Sequence, residues 1–81
     1  MPVRYDPERR NCFLKTLIRD LVKRRHDKDL SQRELSERIG VDSDLVGKWE
    51  AGHRLPTAFN LFCWSQALDC ELVIETHEQR T

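Results

Sequence analysis

The sequence predicts an all-α fold of four helices with a short C-terminal β-strand, in a single domain spanning residues 1–81. Three observations carry that expectation. Apolar residues recur at helical spacing from Phe13 to Val22. Two short stretches, Ser31 to Gly40 and Asp42 to Gly52, each open on a cap-type residue and close on a glycine. Near the end, "CELVIET" sets Leu72 and Ile74 against Glu71, Val73 and Glu75, the period of a strand over residues 71–76.

In "YDPERR", Asp6 is the cap candidate, Pro7 the first helical residue and Glu8 part of the first turn. Phe13, Leu14, Leu17, Ile18, Leu21 and Val22 then form one face; Arg9, Arg10, Lys15, Arg19, Lys23 and Arg24 form the other. The pattern breaks at Arg25 or His26. In the second helix, Ser31 and Glu34 have capping-box spacing, Leu30 and Leu35 form a hydrophobic staple, and Leu35 and Ile39 mark the buried stripe. Gly40 ends it in the left-handed conformation that glycine adopts without steric cost.

For the third helix, Asp42 is the expected N-cap, Val41 and Val46 the staple, Val46 and Trp49 the inner face, and Gly52 the end. Asp44 falls in its first turn, complementing the helix dipole. The fourth helix, capped by Thr57, runs from Ala58 to Leu68 and is apolar nearly all round, so it needs cover on more than one side. That points to a partner subunit. A lone strand over residues 71–76 points the same way, because its backbone groups have no mate in this chain.

Bulk properties exclude several classes. No apolar run can span a bilayer, and the N-terminus lacks the pattern of a signal peptide, so no membrane partner and a cytoplasmic location are expected. Cys12, Cys63 and Cys70 cannot pair completely and lack metal-site spacing, which fits a reducing compartment without a metal. The three histidines are scattered, there is no phosphate-cradling glycine loop, and no nucleophile has a supporting motif; neither enzyme activity nor a cofactor is expected. Formal net charge is zero, yet residues 1–40 hold 11 Lys/Arg against 7 Asp/Glu and residues 41–81 hold 3 against 7. The basic half can face phosphates while the acidic half points away.

Two short helices around a glycine turn make a helix-turn-helix over residues 31–52, and "QRELSERIGVDSDLVGKWEAG" resembles the Cro and lambda-repressor type, the XRE family. The likeness rests on Gln32, Leu35, Ile39, Gly40, Val46, Trp49, the "WEAG" ending and the "HRLP" exit, and covers roughly residues 14–70. Three features depart from the pattern. Ser36 stands where the family usually has alanine, "HDKDL" lacks the usual glycine, and Arg24 replaces an expected leucine. The resemblance further implies an ion pair between Arg25 and Glu50.

The resemblance also implies a lambda-repressor-like domain whose third helix enters the major groove, presenting Ser43, Asp44, Gly47 and Lys48. Lys48 can donate to guanine or a phosphate, and Ser43 discriminates weakly. Asp44 either accepts from cytosine N4, repels wrong sequences or merely complements the dipole. Gly47 either allows close approach of DNA or lets helices pack. Gln32, Arg33, His53 and Arg54 are the candidates for phosphate contacts, with Arg4 on an N-terminal arm. Phe62, Leu72 and Ile74 are the dimerisation candidates. The expected function is a bacterial or phage transcriptional regulator, a repressor with antitoxin as a subtype. It would bind an inverted-repeat operator as a homodimer and have room for a regulatory or toxin protein partner. The alternative is a protein-interaction module that keeps the fold without binding DNA.

Overall fold

The structure, a computed structural model, describes residues 7–73. The expectations for Arg4, for Asp6 as a cap and for Ile74 lie outside the described residues. Four helices follow in order: α1 (Pro7–Asp27), α2 (Gln32–Ile39), α3 (Leu45–Ala51) and α4 (Ala58–Ala67). Helix α2 packs against both α3 and α4, and α1 packs against α3. The core is Leu21, Leu35, Val46, Trp49, Trp64 and Leu68. Trp49 and Trp64 stack with ring centroids 5.2 Å apart, so both indoles serve packing, as their positions on helical stripes predict.

The start of α2 follows the expected pattern. The Ser31 side chain accepts from the Glu34 N–H at 3.0 Å, and the Ser31 N–H donates to Glu34 Oε1 at 2.8 Å. The Ser31 N–H, and after it the Ser31 hydroxyl, hold the Glu34 carboxyl below its ordinary value by hydrogen bonding to the charged form.

The start of α3 corrects an expectation. Asp42 is not the N-cap. Its carbonyl accepts from the Leu45 N–H in a turn, and the helix begins with Asp44 as N-cap, whose side chain makes no capping bond. Val41 and Val46 therefore do not flank a cap as a staple, although Val46 is buried and Val41 packs against the core. Ser36, fully buried on α2, supplies the missing acceptor: its hydroxyl takes the Val46 N–H at 3.1 Å. Alanine at that position would leave this amide unmet.

Every helix closes on a left-handed residue. Gly40 and Gly52 do so after α2 and α3. Asp29 and Asp69, at φ 57° and 56°, do so after α1 and α4. In both aspartate turns the next N–H reaches back to the helix, Leu30 to the Arg25 carbonyl and Cys70 to that of Ser65. The missing glycine of "HDKDL" is thus replaced by Asp29, since aspartate tolerates this conformation better than most residues. It also lets α1 run to Asp27, slightly beyond the expected break.

Arg24 explains its own departure from an apolar residue. Its Nε donates to the Leu68 carbonyl at 2.8 Å and Nη2 to that of Asp69 at 3.4 Å, placing a cation at the negative end of α4. Lys28 pairs with the Asp69 carboxylate beside it and holds that carboxyl below its ordinary value.

On α4, Thr57 caps the start through the Asn60 N–H, as expected. The helix buries Trp64 and Ser65, while Phe59 is 72% and Phe62 56% exposed. Residues 71–73 carry no strand pairing in this single chain, and the rest of the expected strand lies outside the described residues. Among the described residues no second strand exists to pair with residues 71–73, and a strand needs a mate to form its hydrogen-bond ladder.

Candidate nucleic-acid interface

Helix α3 is anchored on one side and open on the other. Val46 and Trp49 are inside, while Ser43, Asp44 and Lys48 are exposed. The far end of α3 is joined to α1 by a buried ion pair. Arg25 Nε donates to Glu50 Oε2 at 2.7 Å and Nη2 to Oε1 at 3.0 Å, with side chains only 9% and 7% exposed. Arg25 Nη1 also donates to the Leu30 carbonyl at 2.7 Å, so the guanidinium fastens the α1–α2 connection as well. The fork geometry suits arginine, and removing either partner would strand a buried charge.

The same carboxylate positions Gln32. Its Nε2 donates to Glu50 Oε1 at 2.8 Å, and its Oε1 lies where a side chain on Gly47 would stand, 2.9 Å from an added Cβ. Gln32, Gly47 and Glu50 therefore form one unit. Of the two uses weighed for Gly47, room for a neighbouring side chain has a direct counterpart here: the Gln32 carboxamide fills the space.

Lys48 Nζ lies 3.2 Å from Asp44 Oδ2 across one helical turn, both residues exposed. Arg33 pairs loosely with Glu37 on α2 at 3.6 Å. His53 and Arg54 are exposed just beyond α3, their N–H groups both turned back to the Lys48 carbonyl. The eight candidate residues thus fall on α2, the turn that leads into α3, α3 itself and its exit. Phe62 and Leu72 are both exposed but do not share a pocket: Leu72 lines an apolar groove with Phe13, Leu17 and Leu61, and Phe62 does not.

Ser36 and Arg24 were not foreseen as structural ligands. Both were visible as departures from an expected apolar residue, and each departure places a polar group at a helix terminus. Among the described residues no set of His, Cys, Asp or Glu side chains could hold a metal. Burial pushes the Cys70 thiol up, away from thiolate chemistry. A helix-turn-helix family model of the XRE type matches residues 21–74, containing all eight of those positions. No curated protein and no solved structure matches the chain significantly.

Proposed function

The chain belongs to the XRE-type helix-turn-helix family, a family of DNA-binding regulators rather than enzymes, and from that premise we propose that it is a sequence-specific double-stranded DNA-binding repressor. Helix α3 lies in the major groove, where Ser43, Asp44 and Lys48 meet base edges and Gly47 stands beside them under the Gln32 carboxamide. Gln32, Arg33, His53 and Arg54 contact phosphates and supply affinity and register. The observation that carries this reading is the exposed leading edge of α3: the Val46 N–H is met by Ser36, so neither Ser43 nor Asp44 caps the helix, and the Asp44 carboxylate stands in solvent beside Lys48.

The active form is a homodimer on an inverted repeat, with half-sites about 10 bp apart centre to centre. Phe62 and Leu72, exposed apolar residues, support this together with Ile74 from the sequence. A ribbon of two copies of residues 71–76 would give each strand the mate it lacks. Antitoxin is the narrower form of the same role, with a toxin protein as second partner. No helix among the described residues is long and apolar enough to cross a membrane, and the site of action is the DNA of the cytoplasm.

Selection from a random duplex pool tests the reading. An enriched, two-fold symmetric sequence is the expected result; a pool that never enriches favours the interaction module. For the dimer, solution mass of a chain ending at Cys70 is decisive, because a truncated chain still dimeric at low micromolar concentration rules out the ribbon.

A further inference from the structure

The Asp44–Lys48 pair holds a hydrogen-bond acceptor and a donor side by side on the exposed side of α3, 3.2 Å apart. A base pair offers the complement of that arrangement. On the major-groove edge of a G·C pair, guanine O6 accepts and cytosine N4 donates. Because these two atoms are hydrogen-bonded to each other, they lie roughly 2.9 Å apart. We propose that Asp44 and Lys48 act together as the reader of one G·C base pair in each half-site, Lys48 donating to guanine O6 and N7 and Asp44 accepting from cytosine N4. The inference rests on the DNA-binding reading above and names what that site selects.

Two observations favour a joint role. Asp44 is the N-cap residue, yet its carboxylate caps nothing, the amide at stake being met by Ser36 instead. Lys48 is the sole basic residue of α3, so the helix has one cation and holds it against a carboxylate. A carboxylate alone in the groove would be repelled by phosphates; beside Lys48 its charge is compensated, and cytosine N4 gives it a donor. An A·T pair also sets a donor beside an acceptor, adenine N6 and thymine O4. There the acceptor stands alone beside a methyl group, whereas guanine offers the ammonium two adjacent acceptors.

The test is pool selection with the full chain and four variants, each first shown to be folded by circular dichroism: Asp44→Asn, Lys48→Ala, Asp44→Ala with Lys48→Ala, and the exchange Asp44→Lys with Lys48→Asp. The two single variants should lose preference at the same base pair, by about 5- to 150-fold. The double alanine variant should lose no more than Lys48→Ala alone. The exchange should turn the preferred pair from G·C to C·G. Loss at two different base pairs by the two single variants would overturn the joint reader, as would a uniform loss of affinity in Lys48→Ala with every preference intact. A wild-type pool that never enriches would remove the DNA-binding reading itself, and the joint reader with it. That failure is distinguishable because it appears before any variant is compared.

Discussion

The two helices of the motif begin in opposite ways. Helix α2 carries its own start: Ser31 and Glu34 satisfy each other's amides within four residues of sequence. Helix α3 borrows its start, because Asp44 makes no capping bond and the Val46 N–H is taken by Ser36 from α2. The difference has a functional consequence. A self-capped helix commits its first side chains to its own backbone. A helix capped by its neighbour leaves those side chains to the solvent, or to a ligand, and ties its position to the neighbour instead. At the other end, Glu50 adds a second tether to α1 and orients Gln32. The helix assigned to DNA is thus the one fixed from outside itself.

The comparison is broken most severely at that second tether. Glu50→Ala should destabilise the fold by about 3–5 kcal/mol in urea unfolding, because Arg25 would remain buried without its counter-charge. Ser36→Ala comes next, at about 1–3 kcal/mol for an unmet buried amide. Its mark is local: amide exchange should accelerate at Val46 and not at Glu34. Ser31→Ala should do the reverse, accelerating exchange at Glu34 at a cost of about 1 kcal/mol.

Acid sharpens the contrast without mutation. A carboxyl depressed in the folded state stabilises it above the ordinary glutamate value, and that contribution is lost as pH falls through the depressed one. Glu34 is such a group. The start of α2 should therefore loosen on acidification, while the start of α3, held by a hydroxyl, should not. Asp69 is depressed as well, through Lys28, so acid loss that persists in Glu34→Gln measures the clamp at the end of α4. The smallest effect is expected from Asp42→Ala, within about 0.5 kcal/mol. A loss near 1 kcal/mol would mean that Asp42 caps α3 after all.

The parts of the molecule legible in sequence are those set by local spacing. The α2 capping box, the Thr57 cap, the glycine ends and the apolar stripes through Val46, Trp49 and Trp64 all depend on residues within a turn or two of one another. The Arg25–Glu50 pair was legible only through family resemblance, since nothing local joins residues 25 positions apart. The α3 cap was misplaced for the same reason. Asp42 has the right chemistry at the right offset, and the competing acceptor sits on another helix. Asp29 and Asp69 were missed because a left-handed aspartate carries no pattern as distinct as glycine. Of the candidate interface, the clustering of Gln32, Gly47 and Glu50 joins two helices and shows only in the fold, whereas Asp44 and Lys48 stand four residues apart, a local spacing that announces their pairing.

Equilibrium binding of the selected duplex across a salt series tests the central claim, that externally held α3 reads DNA while its surroundings grip phosphate. The logarithm of affinity should fall linearly with the logarithm of salt concentration, and Arg33→Ala and Arg54→Ala should each make the slope shallower by about 0.9. Lys48→Ala should leave the slope unchanged and lose the base preference. Affinity that does not respond to salt, or a Lys48→Ala variant that keeps its preference and changes only the slope, would contradict the account.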